Sequence, residues 1–210
     1  MKPLNEISLV FLLVISVIWG NDYLPFPGWS LALPAVFFLL NYWYKNPQIF
    51  KDIWRAERSN GQHLLILAAC FIVFWRGIIL VGEIWNPQFW NQPDLFKKFL
   101  ISTFFYLGNA LWQQVLINGY FFPRLEEGLK SEKKSLLVLG ILFGLTHIPN
   151  PVLIPVTMIG GALSAYFFKR TRNIYVLIVA HSVLAVSIMY FLPHSWHHHL
   201  NVGPRYFRCR

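Results

Sequence analysis

Two histidines and a strip of carboxamides are the residues best suited to chemistry in this chain. His147 lies in the stretch FGLTHIPN, and His181 lies in VLIVAHSVLAV. Asn109, Gln113, Gln114 and Asn118 fall within FLISTFFYLGNALWQQVLINGYFF. An imidazole takes up or releases a proton near neutral pH. A carboxamide offers donors and an acceptor but exchanges no proton in a useful range. Such a set could hold a water beside an imidazole or polarise a carbonyl. The same residue types also serve as glue between membrane helices, at about 1 kcal/mol or less per bond. Both readings require the amides to face partners, because unpaired amides are costly in apolar surroundings. Asn109 and Gln113 are one helical turn apart, as are Gln114 and Asn118, so one helix edge is polar for about three turns. A zinc site at His147 and His181 would need a third ligand, and glutamine is a poor one. The run HSWHHHL, with His194, His197, His198 and His199, reads as an incidental surface cluster. No cofactor is expected, and metal binding is left open.

The elements that must position these residues are membrane helices. The chain has 210 residues, 56% hydrophobic and 13% charged, with a mean hydropathy of +0.47. Soluble domains are about 45–50% apolar and about 25% charged. This composition implies an all-α, polytopic integral membrane bundle in contact with lipid. Seven apolar runs are long enough to be read as spans, at 7–23, 29–44, 63–81, 95–122, 135–148, 152–168 and 174–192. Pro34 is expected to kink the second. The fifth is short for a span. The sixth carries GGALSA, small residues that let helices approach closely. The start, MKPLNEISLVFLLVISVIWGND, lacks a small-x-small cleavage site and reads as a retained first helix. Cys70 and Cys209 read as free thiols.

The net charge of +9 needs no nucleic acid, since no basic stripe interleaves with exposed aromatics in a soluble segment. With the N-terminus inside, twelve of the eighteen basic residues fall in cytoplasmic segments. Lys97 and Lys98 resist this pattern, and an odd helix count puts Arg205, Arg208 and Arg210 outside. The alternation fits a multi-pass protein of a prokaryotic plasma membrane. Arg76 is expected to pair with Glu83 or to snorkel. The pair Glu126–Glu127 in RLEEGLK reads as a solvated cytoplasmic face. No acid lies clearly within a span, which disfavours a proton-coupled carrier. We divide the chain into N-terminal helices (1–98), a core (99–192) and a tail (193–210), all within one compact membrane domain.

In order along the chain come the amide-bearing helix, F-x-x-x-H at Phe143 and His147, a small-residue helix, a basic turn, and a final helix with His181. This order resembles the CAAX protease and bacteriocin-processing family of intramembrane endopeptidases over roughly residues 99–190. "LLVLGILFGLTHIPNP" is similar to the family's second motif, and "IGGALSAYFFKRTRNIYVLIVAHSVLA" to the region of its third. The family's first motif is E-E-x-x-x-R, often followed by glycine. Here the aligned stretch is Gln113-Gln114-Val115-Leu116-Ile117-Asn118-Gly119. The spacing and the glycine are kept, but the acids and the arginine are replaced. The third motif's final asparagine is Ala185 here. The resemblance implies that Gln113 stands at the general-base position with His147 beside it. It implies His181 as an oxyanion donor and Ala185 as a lost one.

The residue changes bear on chemistry. Loss of a general base costs about 10²–10⁴-fold, and loss of an oxyanion donor about 10²–10³-fold. Gln114 and Asn118 replace a pair of opposite charges together, which avoids stranding a buried charge at about 3–5 kcal/mol. Three functions stay open from the sequence. The first is a family member that keeps a peptide-binding pocket with impaired catalysis, its partner a membrane-associated protein or peptide. The second is an active protease in which His147 is the base and Gln113 positions the water. The third is a non-enzymatic scaffold or small-ligand binder.

Overall fold

Leucine-rich and aromatic runs, broken by proline, glycine and short basic segments, fold here into helices alone. The computed structural model describes residues 2–20, 32–55 and 61–208, and no strand forms among them. The helices are α1 (Pro3–Gly20), α2 (Ala32–Lys45), α3 (Pro47–Trp54), α4 (Gly61–Trp85), α5 (Leu95–Leu116), α6 (Phe122–Leu129), α7 (Glu132–Leu145), α8 (Leu153–Thr171) and α9 (Ile174–Phe191). Two short turns of helix, α10 (His194–His197) and α11 (Arg205–Arg208), follow. The ends expected at Tyr23 and Trp29, and also Cys209 and Arg210, lie outside the described residues. Cys70 is free.

Three described helices, α1, α4 and α9, are long and apolar enough to cross a membrane. The protein is an integral membrane helical bundle. The other runs expected to span also become helices, under tighter limits. α2 and α7 have 14 residues each, about 21 Å of rise against a hydrocarbon core of about 30 Å. α5 carries Lys97 and Lys98 near its start. Pro34 falls in the first described turn of α2, where a missing N–H costs little.

Small residues set the central packing. α7 lies along α8, α5 along α9, and α4 also against α9. A Cβ on Gly140 would sit 2.6 Å from the Met158 carbonyl, and one on Gly161 2.8 Å from the Phe143 ring. Gly161 is therefore the glycine of GGALSA that permits close approach, because Gly160 meets nothing within 4 Å.

Two readings from the sequence are corrected. The first concerns the absence of acids from the spans, and it turns on Arg124 of RLEEGLK, a segment whose Glu126 and Glu127 side chains stay 30% and 47% exposed. Arg124 is buried and pairs with both Glu6 and Glu127. Glu126 pairs with Lys169 at 2.5 Å. Glu6 is itself a buried acid inside α1, within a span where none was expected. It escaped notice because it lies only one turn from the chain start, where acids normally meet water. The second concerns the histidine run: His197 is fully buried, not superficial. No group of three or more potential metal ligands forms among the described residues. Arg76 does meet Glu83, at 3.7 Å.

The segment read as a basic loop also contains α3. Its buried residue, Ile53, faces Gly119. The tail docks through Asn150. The Asn150 oxygen accepts from the N–H groups of Val152 and Leu153, capping the start of α8. Its amide nitrogen donates to the carbonyls of His197 and Asn201.

Candidate active site

The helix carrying the amides changes pitch where the site needs it. α5 passes into a π-helical turn, Ile117–Phe121, before α6 resumes, and all five residues of the turn are buried. Such turns insert a residue into the helical ladder and recur at functional sites. The Gly119 carbonyl accepts from the Trp43 indole N–H at 2.9 Å. A Cβ at Gly119 would collide with Ile53. Gly119 thus lets α2 and α3 close against the turn that carries Asn118.

A cavity of about 600 Å³ opens beside this turn. Gln113, Gln114, Phe143, His147, His181 and Ala185 all line it, within walls that are mostly aliphatic and aromatic. Asn118 does not line it and lies behind Gln114, donating to the Gln114 oxygen at 2.8 Å. The one-turn spacing of Gln114 and Asn118 thus places the two amides within a direct hydrogen bond. Asn109 also lines the cavity, and the Tyr106 phenol lies close to the amides of Asn109 and Gln113.

The two imidazoles are held differently. His147 Nδ1 lies 2.8 Å from the Phe143 carbonyl, one turn back. A carbonyl can only accept, so Nδ1 carries the proton and Nε2 keeps its lone pair. His181 Nδ1 lies 3.1 Å from the Gln114 amide nitrogen. The Phe143 ring touches both sides of this arrangement, with centroids 4.9 Å from His147 and 6.4 Å from His181.

Gln113, His147 and His181 share one cavity, but no direct hydrogen bond joins any two of them among the described residues. The Gln113 oxygen is buried without a partner. The contact that forms is instead Gln114 with His181. One participant was missed in the sequence: Ser164 of α8, whose hydroxyl donates to the Gln114 oxygen at 2.5 Å. Within GGALSA it reads as a small packing residue. Its hydroxyl on the helix facing the amide strip is the signal that could have found it.

These residues sit within a single stretch of the chain that is similar to a known family. Residues 95–187 match the family model for type II CAAX prenyl endopeptidase, Rce1-like. Over this segment, and not over the rest of the chain, the sequence is similar to that family. No curated protein and no solved structure matches the chain. The Rce1-like segment begins with α5 and takes in α6, α7, α8 and most of α9. Every residue named above as lining the cavity by motif lies inside it. The likeness to type II CAAX prenyl endopeptidases is thus confined to residues 95–187, among them the motif residues that line the cavity.

Proposed function

We propose that this protein binds a membrane-associated protein or peptide in the cavity of its Rce1-like segment and has an impaired hydrolytic step. The state of Gln113 carries this reading. Its oxygen is buried and unpartnered, and the residue lines the cavity. It can accept a hydrogen bond from a peptide N–H or a water. It cannot take a proton from that water, because an amide is not a base near neutral pH. Ala185 lines the same wall without a donor. The two losses together remove about 10⁴–10⁷-fold from the family mechanism. The Gln114–Asn118 hydrogen bond keeps the helix satisfied after the charges are gone.

One observation favours a second reading, an active protease. The free Nε2 lone pair of His147, fixed by the Phe143 carbonyl, is a base that needs no carboxylate. Proteolysis of membrane-tethered peptides in liposomes separates the two. The chain is expected to cross-link a photoreactive peptide in the cavity and to cleave no faster than His147→Ala. Gln113→Glu combined with Ala185→Asn is expected to raise cleavage. Wild-type cleavage abolished by His147→Ala would establish the second reading. Neither cleavage nor cross-linking would leave a scaffold or small-ligand binder. We further place the chain in a prokaryotic plasma membrane with its N-terminus in the cytoplasm, as the basic segments favour. Residues 99–192 form the core of this scheme, between N-terminal helices (1–98) and a tail (193–210).

A further inference from the structure

We infer that Ser164 and Asn118 are positioning residues that act through the Gln114 amide to fix the tautomer of His181, so that this imidazole presents an N–H to the cavity. The inference rests on the reading of the cavity as a site where His181 meets a ligand. It goes beyond that reading by naming what sets the donor.

Donors and acceptors around Gln114 fix the direction of its amide. The Gln114 oxygen lies 2.5 Å from the Ser164 hydroxyl and 2.8 Å from the Asn118 amide nitrogen. The same Asn118 nitrogen reaches the Ser164 hydroxyl at 3.3 Å. There the hydroxyl oxygen accepts, so its own hydrogen is free to point to Gln114. Two donors therefore converge on the Gln114 oxygen, and its NH₂ end must face His181. That NH₂ lies 3.1 Å from His181 Nδ1. A group that only donates requires Nδ1 to accept. A neutral imidazole then carries its single proton on Nε2, across the ring from Gln114. His181 lines the cavity, and Nε2 offers it a donor.

The reverse amide orientation is worse by count. Rotating Gln114 alone would aim its NH₂ at the Asn118 NH₂. Rotating Asn118 as well would move that NH₂ to the place now held by the Asn118 oxygen. That place is buried and has no partner. An under-satisfied buried oxygen is tolerated more often than an orphaned N–H. Gln114, Asn118 and Ser164 are 3%, 2% and 7% exposed, so bulk water does not compete for these bonds. A carboxylate at position 114 would act oppositely, because it only accepts and would draw a proton onto Nδ1.

The test reads the tautomer directly. The full chain, labelled with ¹⁵N-histidine and held in lipid nanodiscs, is observed through the ring nitrogens, whose shifts distinguish protonated from bare nitrogen. His181 is assigned by the signal lost in His181→Phe. The wild type is expected to carry its proton on Nε2 with Nδ1 bare. Gln114→Glu is expected to place a proton on Nδ1. Ser164→Ala, which removes one oxygen, is expected to give a mixture of tautomers, and Ser164→Thr to restore the single form. A wild-type Nδ1–H, or one unchanged tautomer across all variants, overturns the inference. Thermal midpoints recorded in parallel show whether each variant folds. If Gln114→Glu does not fold, Ser164→Ala decides. Neither cleavage nor peptide binding enters the readout. Absent cleavage and binding sink the proposed function while leaving the tautomer result intact, and the converse also holds.

Discussion

Replacing Arg124 with leucine should destabilise the protein by about 3–5 kcal/mol, the cost of stranding a buried charge. The guanidinium touches the Glu6 carboxylate, and both side chains are only 11% exposed. Its other arm reaches Glu127 at 2.5 Å, and its centre lies 5.1 Å from the Tyr42 ring. Among the described residues, Glu6 is otherwise supported only by the Tyr120 hydroxyl, which donates to it at 3.0 Å. The two charges therefore depend on each other unequally. Without Arg124, Glu6 keeps one neutral hydrogen bond. Without Glu6, Arg124 keeps a carboxylate and an aromatic face. Glu6→Leu should accordingly cost less, about 1–3 kcal/mol, the range for breaking a charged hydrogen bond. The double variant should lie nearer the wild type than Arg124→Leu does, because two leucines of suitable volume strand nothing.

Reversible unfolding in mixed micelles measures all four corners of this cycle, and the coupling is the departure from additivity. A loss of about 3–5 kcal/mol is large against total stabilities of about 5–15 kcal/mol, so the effect stands well above error. An Arg124→Leu cost below about 0.5 kcal/mol, or purely additive singles, would refute the reasoning by showing that the pair is solvated. The consequence reaches the site. The pair joins α1 to α6, directly after the π-helical turn that carries Asn118. Its loss should therefore also perturb the Gln114 network.

Other expectations concern the tail and the α7–α8 contact. Burial pushes the His197 imidazole down to about 4, from about 6.5 in an unfolded chain. Its Nε2 faces the Leu192 carbonyl while Nδ1 has no partner. The neighbours His194, His198 and His199 press its titration the same way. The folded state thus binds the proton less well than the unfolded one. Its contribution is full above about pH 6.5 and is lost progressively as pH falls toward 4, by up to about 3 kcal/mol. Thermal midpoints between pH 7.5 and 4.5 should fall more steeply for the wild type than for His197→Phe, and equal slopes would dismiss the effect. Gly161→Leu should cost about 1–3 kcal/mol by overpacking against Phe143, while Gly160→Ala should stay within about 0.5 kcal/mol; thermal unfolding of both variants checks the pair.

The residues that line the cavity were legible because their signal is local. Polar side chains inside apolar runs stand out, and helical spacing alone places Gln114 over Asn118. The span boundaries were legible for the same reason in α4 and α9. Long-range partners were not. Glu6 and Arg124 are far apart in sequence, and each taken singly looks like a charge near a helix end. The π-helical turn at Ile117–Phe121 leaves no mark in hydropathy, because a wider pitch changes which carbonyl is bonded and not which residues are apolar. Ser164 was hidden for a related reason. In a small-residue helix a serine serves close packing and hydrogen bonding equally, and only the position of the facing helix decides between them.

Under the proposed function, that ambiguity bears on what remains of a site in which amides stand where carboxylates would act. A carboxylate does two jobs in such a site: it exchanges protons, and it fixes the geometry of its neighbours by accepting hydrogen bonds. An amide of nearly the same shape gives up the first and keeps a form of the second, with one end reversed from acceptor to donor. Here that reversed end meets His181, while Ser164 and Asn118 occupy the oxygen. The site is therefore ordered by neutral bonds that cost no charge burial in the membrane interior. Order of this kind suits recognition of a peptide group, which itself presents one donor and one acceptor. It does not by itself supply a base, and of the two imidazoles that line the cavity, His147 is the one whose Nε2 keeps a lone pair. Whether peptide bonds are cut in this cavity thus turns on one nitrogen, while whether peptides are held there turns on Gln113, Gln114 and His181 together.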